Sequence, residues 1–366
     1  QIRFGADVIN RIIEQQKPGG KKKLQDAVIK ETINPMIAQM CKSAGIPASH
    51  IYRMSVGANT TMNHLFAGIN ADPVRMEPYI PAFFKTNSLF ASDVGIAINK
   101  DAHIIIAPNI GSYVGGDITA GTLVSMIWNR PEFSLFIDLG TNGELVFGNS
   151  DFMMSCACSA GPAFEGGNIS CGMPGVPGAV CRAVLFGKNN MVTKTIGNKP
   201  AIGLCGTGII DVMYELVRHH IVDTQGILGE PWFEKGFPVV PGKIYFTQED
   251  IRQVQMAKAA ICAGLEVLLQ KSNISHEQIK KVYVAGGFGM GLDMEKALGI
   301  GLLPIGLRGK LTPVGNSALE GAARCLTHSK ESSDMQPQEI AAISHEINLA
   351  DTPEFQELYL KHMQFC

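Results

Sequence analysis

Apolar side chains recur at helical spacing in several parts of the chain. Residues 4–16 and 24–42 show this pattern on either side of a lysine-rich turn, KPGGKKK, and each predicts an amphipathic helix. A longer helix is predicted after Thr247, because Thr247 and Asp250 have the spacing of a capping box and apolar residues recur from 251 to 268. The pattern thus predicts helices at the start of the chain and in its second half.

Other stretches are short, apolar and followed at once by glycine-rich turns, which indicates buried strands. Residues 51–56, 103–108, 135–138 and 281–285 are of this kind, and helices are predicted after several of the turns. Gly, Pro and Ser interrupt residues 152–205, which favours loops and antiparallel strands there. The repeated order of strand, glycine-rich turn and helix predicts an α/β protein with mixed sheets flanked by helices.

Length, charge and cysteine content narrow the class of protein. A chain of 366 residues with 46% hydrophobic side chains is long for one core, so two lobes are expected. The formal charge of −2 is spread along the sequence, which argues against a nucleic-acid partner. No apolar run approaches the ~20 residues that cross a membrane. Nine irregularly spaced cysteines indicate reduced thiols in a cytoplasmic protein, and Cys156 and Cys158 are predicted to be buried thiols rather than metal ligands.

The turn in IDLGTNGEL, residues 137–145, is the first indication of ligand chemistry. Its backbone amides, with Thr141 and Asn142, are suited to surround a phosphate. Asp138 would repel that phosphate unless a cation lay between them, which implies Mg²⁺ and a nucleotide. The alternative is an ordinary β-hairpin with Asn-Gly at its turn, and one structure can satisfy both interpretations. The turn is neither a Walker A loop, because no GKS or GKT follows, nor a GxGxxG pattern.

Four motifs occur in an order that resembles the superfamily of acetate and sugar kinases, the large heat-shock chaperone ATPases and actin. IDLGTNGEL resembles its second phosphate loop, VYVAGGFG its adenosine loop, GNSALEGA its second connecting helix and YVGGDITAG its first connecting segment. The resemblance implies two ribonuclease-H-like, actin-like lobes that bind ATP. A dinucleotide fingerprint in VAGGFGMG is a weaker interpretation, because no suitable βαβ unit follows it.

Further stretches narrow the resemblance to the ATPase part of reductive activators of corrinoid proteins: FGADVINRI, VGANTTMNHLFAG, AGPAFEGG, CGTGIIDV and QMAKAAICAGLEVLL. This family implies use of ATP to drive reduction of an inactive Co(II) corrinoid protein to Co(I) in a methyltransferase system, and a homodimer. Two family features have no counterpart in the sequence. They are an N-terminal ferredoxin-like domain with a two-iron, two-sulfur cluster and an Asp-Gly-Thr first phosphate loop. The chain, which begins with Gln1, is therefore interpreted as a fragment or processed product.

The resemblance also implies a division of the chain and a set of site residues. The expected segments are a first actin-like lobe at 1–130, a second at 131–315 and a helical return to the first lobe at 316–366. Asp117 and Asp138 are expected to orient Mg²⁺ or the attacking water, with Asp138 as the metal ligand. The expected nucleotide contacts come from glycine-rich turns and one further carboxylate: Gly140, Thr141, Asn142, Gly143, Glu165, Gly206, Thr207, Gly208, Gly286, Gly287 and Phe288.

Structural explanations remain open for several of these residues. Asp117 would also suit the N-cap of a helix, and residues 206–208 would suit a tight strand-to-helix turn. The histidines, among them His64, are expected to be surface or packing residues rather than cobalt ligands. Two other functions remain open as well: a small-molecule kinase, such as an acetate or sugar kinase, and a non-catalytic docking module.

Overall fold

The computed structural model describes residues 4, 7–86, 88–286, 289, 291–327 and 337–365. Its helices are α1 Val8–Gln15, α2 Gly20–Val28, α3 Asn34–Ala44, α4 Thr60–Ala67, α5 Asp72–Arg75, α6 Ala91–Val94, α7 Gly116–Ser125, α8 Gly206–Arg218, α9 Gln248–Ser272, α10 Met294–Gly299, α11 Ser317–Thr327, α12 Pro337–Ile343 and α13 Pro353–His362. Its strands are β1 Arg53–Val56, β2 His103–Ile106, β3 Ser134–Asp138, β4 Glu144–Gly148, β5 Met153–Ala157, β6 Ala179–Phe186, β7 Asn190–Thr195, β8 Gly203–Leu204, β9 Phe237–Val240, β10 Ile244–Phe246, β11 Lys281–Ala285, β12 Leu311–Gly315 and β13 Ser344–Glu346.

The chain forms two compact units. The first comprises residues 1–130, 150–153 and 317–346, and the second comprises residues 131–149, 154–316 and 347–366. The segment 316–366, predicted to return to the first lobe, is therefore divided between the units. Its last part belongs to the second unit because α13 packs along α9 and Lys258 donates to the backbone oxygen of His362 at 2.6 Å.

The first unit is built on a parallel pair of strands. Met54 of β1 lies opposite Ile104 of β2, and helices supply the apolar core against this pair, with Ile29, Ile37 and Phe66 buried. The two amphipathic helices predicted at the start of the chain are confirmed as α1 and as α2 and α3, which the π-helical stretch Ile29–Ile33 joins. In the same unit, α11 packs on α7.

The second unit contains two sheets of three or more strands and, separately, the antiparallel pair β9 and β10. The larger has the order β12-β11-β3-β4-β5 in this unit. In it, β3 is parallel to β11 and antiparallel to β4. The smaller sheet has the order β7-β6-β8. The predicted antiparallel strands are thus confirmed for β6 and β7, but β6 and β8 are parallel. The predicted α/β fold with mixed sheets is confirmed.

Thr247 begins α9 as predicted. Its Oγ1 accepts the N–H of Asp250 at 3.2 Å, and Asp250 Oδ2 accepts the N–H of Thr247 at 2.9 Å, which is the reciprocal pattern of a capping box. α9 then packs against β4 and α13. None of the helices in the described part of the chain is long and apolar enough to cross a membrane.

Candidate functional site

The turn of IDLGTNGEL joins β3 to β4 as a β-hairpin. Asp138 and Glu144 are the last antiparallel pair of the two strands, and Gly143 has a φ of +71°, a conformation that favours glycine. The carbonyl oxygen of Gly143 accepts the N–H of Cys158 at 3.0 Å, so the end of β5 supports the turn. The hairpin interpretation is confirmed, and the ligand interpretation depends on what surrounds the turn.

A cavity of about 890 Å³ lies beside this turn, within the second unit. Six of the predicted site residues line it: Asp138, Gly140, Glu165, Gly206, Thr207 and Gly286. They belong to four segments, namely the hairpin, the 3₁₀ helix Pro162–Glu165, the start of α8 and the residue after β11. The glycine-rich turns of this unit therefore converge on one cavity, which is where α/β sheets bind their ligands.

Asp138 is the most perturbed carboxyl group of this cavity. Burial and the nearby Glu165 carboxylate raise the pKa of Asp138 from 3.8 to about 6, because both disfavour the charged form. A bound divalent cation would offset this effect with its own charge. Mg²⁺ is commonly held by one or two protein carboxylates together with phosphate oxygens and waters, and Asp138 with Glu165 supplies such a pair.

Two side chains of the hairpin turn have carboxylate partners. Thr141 Oγ1 donates to Glu165 Oε2 at 2.6 Å, and Asn142 Nδ2 donates to Glu144 Oε1 at 3.3 Å. The Thr141 hydroxyl thus positions a carboxylate that lines the cavity, whereas Asn142 is bonded to the strand that follows the turn. Direct phosphate contacts from Thr141 and Asn142 stay predictions.

Two of the predicted site glycines have packing roles. A Cβ on Gly143 would lie 3.0 Å from Cγ1 of Ile261 in α9, and one on Gly208 would lie 2.1 Å from the carbonyl oxygen of Val180. The second distance excludes any side chain at Gly208 and confirms the tight strand-to-helix turn for that residue. Ligand contacts from Gly143 and Gly208 remain untested predictions.

The start of α8 supplies backbone donors at the cavity. Gly206 and Thr207 line the cavity, and the side chain at the N-cap position, Cys205, accepts no hydrogen bond from the backbone of the first turn of α8. N–H groups at a helix N-terminus attract anions. The Thr207 hydroxyl donates to the carbonyl oxygen of Cys181 at 3.1 Å, so the backbone N–H groups of this turn are better suited than its hydroxyl to an anionic ligand.

Gly286 brings the backbone after β11 close to Asp138. Its φ is +94°, and its N–H donates to the carbonyl oxygen of Gly315 at 2.9 Å. A Cβ at this position would lie 3.2 Å from Asp138 Oδ1, so a side chain would press on the carboxylate. Gly287 and Phe288, the other residues predicted to line adenosine, lie outside the described residues.

Asp117 belongs to the first unit. It lies within the first turn of α7, which begins at Gly116 and has Gly115 at its N-cap, and its Oδ1 accepts the N–H of Ile118 at 2.9 Å. The N-cap alternative for Asp117 is therefore wrong, although a carboxylate in the first turn stabilises a helix. Its role toward Mg²⁺ or water stays a prediction.

Part of the cavity lining is apolar and was not predicted. It consists of Phe164, Met173, Pro174 and Ile196. Met173 lies in an irregular segment and Ile196 begins the short 3₁₀ helix Ile196–Asn198. Neither segment has a regular apolar period, and only the motif AGPAFEGG, which contains Phe164, gave a signal in the sequence. Ligand sites usually combine such apolar walls with a few polar groups, so the apolar lining suits a ring system and the polar lining suits an anionic group.

The thiols and the histidine considered as metal ligands are structural. Cys156 and Cys158 are buried and free, as predicted, and burial raises the pKa of Cys158 well above its ordinary value. His64 is buried, with Nδ1 at 2.7 Å from the carbonyl oxygen of Thr60 and Nε2 accepting the N–H of Ala82. Within the ranges that the structure describes, no group of three or more His, Cys, Asp or Glu is placed to hold a metal ion.

Two family profiles together match almost the whole chain. The RACo middle region matches residues 1–130, and the C-terminal domain of RACo, the ASKHA domain, matches residues 132–366. The chain belongs to the RACo family. The cavity and all six predicted residues that line it lie within the part that matches the ASKHA domain.

Individual relatives agree with this assignment. The chain is 33% identical to the corrinoid activation enzyme RamQ of Eubacterium limosum, with 100% of the chain and 65% of the relative covered. It is 26% identical to the Co(II) methylated amine-specific corrinoid protein reductase of Methanosarcina barkeri, with 92% and 66% covered. A solved reductive activator for corrinoid, iron-sulfur protein is 38% identical, with a TM-score of 0.87 over 100% of this chain and 60% of that chain.

These comparisons confirm the predicted family and fold class. The ASKHA profile matches the superfamily that IDLGTNGEL and the later motifs indicated, and the solved activator shares the fold of the whole chain. The chain spans 65% and 66% of the two curated relatives. The activity of a whole activator therefore enters below as a proposal.

Proposed function

We propose that the chain is the ATP-binding and ATP-hydrolysing part of a reductive activator, which drives reduction of an inactive Co(II) corrinoid protein to Co(I) in a methyltransferase system. The observation that carries this proposal is the carboxylate pair Asp138 and Glu165, in one cavity with the uncapped first turn of α8. Two carboxylates beside an anion-attracting helix end suit an anionic ligand that arrives with Mg²⁺. The names of the relatives support a corrinoid protein as the partner.

The residues of the cavity fit Mg²⁺ and a nucleotide. Asp138 is the proposed Mg²⁺ ligand, because a buried carboxyl with a raised pKa is stabilised in its charged form by a cation. Glu165, positioned by the Thr141 hydroxyl, is the proposed acceptor for waters around the metal. Mg²⁺, when bound, neutralises the charge that develops on a transferring phosphoryl group. The backbone of Gly206 and Thr207 donates to phosphate oxygens.

The adenosine end of the nucleotide is assigned to Gly286 and to the apolar residues of the cavity lining. Gly286, which has no side chain, leaves room beside Asp138 for the ligand, and Phe164, Met173 and Ile196 offer an apolar surface to the base. Burial of an aromatic ring against such side chains contributes affinity through the hydrophobic effect. Polar and apolar parts of the lining therefore match polar and apolar parts of one ligand.

Hydrolysis is proposed to act on the partner through differential binding. Reduction of Co(II) to Co(I) is uphill, and a ligand shifts an equilibrium only by its differential affinity for the two states. The activator must therefore bind the corrinoid protein differently before and after ATP hydrolysis. The electron is assigned to the two-iron, two-sulfur domain that the family resemblance implies. A homodimer in the cytoplasm completes the proposal.

ATP hydrolysis by the chain in the presence of a Co(II) corrinoid protein tests the proposal. We expect Mg²⁺-dependent release of phosphate whose rate rises with the concentration of the corrinoid protein, and no such rise with apo-protein that lacks the corrinoid. A rate that stays constant at saturating corrinoid protein would contradict the activator role. ATP consumption that instead requires acetate or a sugar would indicate a kinase, and absence of binding heat with a non-hydrolysable ATP analogue would indicate a docking module.

A further inference from the structure

Two cysteines lie side by side in the wall of the cavity. Val180 of β6 is paired in parallel with Leu204, the last residue of β8. Cys181 is the next residue of β6, and Cys205 follows β8 as the N-cap of α8. The N–H of Cys205 donates to the carbonyl oxygen of Val180 at 3.1 Å, so the two segments of the chain are still adjacent at the cysteines. Cys205 Sγ lies 3.2 Å from the carbonyl oxygen of Val180, the residue directly before Cys181, which brings the two cysteines near the range of about 4.4–6.8 Å that disulfides span between Cα atoms. Both cysteines line the cavity.

Thr207 connects both cysteines to the first turn of α8. Its Oγ1 donates to the carbonyl oxygen of Cys181 at 3.1 Å and lies 3.4 Å from Cys205 Sγ. The thiols themselves have weak partners: Cys181 Sγ is 3.5 Å from the carbonyl oxygen of Lys194, and Cys205 Sγ is 3.2 Å from that of Val180. A thiol is a weak hydrogen-bond donor, so little is lost if either side chain rotates toward the other.

We propose that Cys181 and Cys205 form a thiol oxidation site in the cavity wall, whose co-substrate is a small-molecule disulfide. The Cys181 thiolate, on the half-buried residue, attacks one sulfur of the small disulfide. A mixed disulfide forms and one thiolate leaves. The Cys205 thiolate then attacks the Cys181 sulfur, the protein disulfide forms, and a second small thiolate leaves. Two protein thiols are oxidised, one small disulfide is reduced to two thiols, and the two protons go to the leaving thiolates.

The site regulates the cavity, and this part rests on the proposed function. A disulfide between Cys181 and Cys205 fixes β6 to the residue that precedes Gly206 and Thr207, the proposed phosphate donors. It also places two bonded sulfur atoms in the cavity wall. Nucleotide affinity therefore falls when the surrounding thiols are oxidised. An enzyme that hydrolyses ATP to generate Co(I), a strong reductant, then stops hydrolysis under conditions in which the product would be lost.

Oxidised glutathione applied to the full chain tests the site. After alkylation of remaining thiols and digestion without reductant, mass spectrometry is expected to find the peptide of Cys181 linked to that of Cys205. Calorimetry with a non-hydrolysable ATP analogue is expected to show roughly tenfold weaker binding to the oxidised chain, with recovery after dithiothreitol. Glutathione on single cysteines without a linked peptide, or no modification at this pair, would overturn the proposal.

Matched variants separate the two proposals. Cys171→Ser is the control, because this thiol is outside the cavity lining and because burial and Asp250 raise the pKa of Cys171 to about 11. In this variant the disulfide between Cys181 and Cys205 should still form and should still weaken nucleotide binding. Cys181→Ser and Cys181→Ala should both lose the link, and the nucleotide affinity of each variant should be the same before and after treatment with oxidised glutathione. Failure of the reduced chain to bind nucleotide contradicts the proposed function, but it does not contradict the formation of the disulfide between Cys181 and Cys205. A linked chain that binds nucleotide as tightly as the reduced chain contradicts the regulation.

Discussion

Thr141 Oγ1 donates a hydrogen bond of 2.6 Å to Glu165 Oε2, across a separation of 24 residues in the sequence. A hydroxyl that donates to a carboxylate forms a charge-assisted bond, which is shorter and stronger than a bond between neutral groups. The bond joins the hairpin turn after β3 to the 3₁₀ helix Pro162–Glu165, and both segments line the cavity. The polar side of the candidate site is therefore held by a contact between two of its own parts.

Thr141→Val removes the hydroxyl and keeps the shape of the side chain. We expect the rate constant of ATP hydrolysis to fall roughly 10- to 100-fold, because hydrogen bonds to charged groups contribute about 1.5–3 kcal/mol. The KM for ATP should change less, since Thr141 acts through Glu165. Steady-state kinetics check this expectation. Thr141→Ser, which keeps a hydroxyl, should have most of the wild-type rate. Thr193→Val, on β7, is the control and should have no effect. Equal rates for Thr141→Val and Thr141→Ser would refute the role of the hydroxyl.

Asp138→Asn should stabilise the ligand-free protein while weakening its binding of Mg²⁺ and nucleotide. The pKa of Asp138 is raised from 3.8 to about 6, so the folded chain binds this proton more tightly than the unfolded chain. The stability of the wild-type protein consequently falls as pH rises from about 4 to about 6 and stays lower above that range. At pH 7.5 the Asn variant should gain about 1–3 kcal/mol in the free energy of unfolding.

Urea unfolding at pH 4 and pH 7.5 measures this effect of Asp138→Asn. The difference between variant and wild type should be small at pH 4, where the folded chain keeps the carboxyl protonated, and largest at pH 7.5. Asp101→Asn is the matched control, because the Asp101 side chain is 73% exposed. A variant that is equally or less stable than the wild type at pH 7.5, or one that binds Mg²⁺ and ATP normally, would contradict the assignment of Asp138.

Gly286→Ala tests the close approach of the backbone to Asp138. Alanine at a positive φ costs about 1 kcal/mol in the free energy of unfolding, and its Cβ would lie 3.2 Å from Asp138 Oδ1. Gly309→Ala is the matched control, since Gly309 has a φ of +76° and a Cβ there would meet no atom within 4 Å. Both variants should lose similar stability in thermal unfolding, but only Gly286→Ala should weaken nucleotide binding. Unchanged nucleotide affinity in Gly286→Ala would refute its place in the site.

The sequence predicted those features of the site that depend on local pattern. The hairpin of IDLGTNGEL, the glycine after β11 and the glycine start of α8 each follow from residues close in the chain. Their convergence on one cavity followed from the general position of ligands in α/β sheets. The apolar wall was not predictable in this way, because Met173 comes from an irregular segment and Ile196 from a short 3₁₀ helix, and the positions of both depend on the packing of the whole unit.

Asp250 makes one contact that the local sequence predicts and one that it does not. Its capping role at Thr247 was predicted from a spacing of three residues. Its Oδ1 also accepts the N–H of Ser170 at 2.7 Å, and its Oδ2 accepts the Ser170 hydroxyl at 2.7 Å, across 80 residues of chain. Nothing in either local sequence indicates this second contact. Long-range polar contacts of this kind are known only once the fold brings the segments together.

Lys296 of α10 compensates two buried carboxylates of α8. Its Nζ lies 3.1 Å from Asp211 Oδ2 and 3.3 Å from Glu215 Oε1, and both carboxylates are about 1–2% exposed. The same carboxylates accept the N–H groups of Ala183 at 3.0 Å and Leu185 at 3.3 Å in β6. The three charged residues therefore fix α8, and with it the proposed phosphate donors, against β6.

Lys296→Met should destabilise the protein on the order of 3 kcal/mol, because Asp211 and Glu215 then keep only the more distant and more exposed Arg182 and Arg218 as charged partners. Arg308→Ala is the control: it breaks the Arg308–Glu295 pair, whose side chains are 59% and 62% exposed, and should cost at most about 0.5 kcal/mol. Combining Lys296→Met with Asp211→Asn and Glu215→Gln should recover part of the loss, since the buried charges disappear together. Chemical unfolding at pH 7.5 measures all three variants, and equal losses for Lys296→Met and Arg308→Ala would show that the buried cluster does not hold α8.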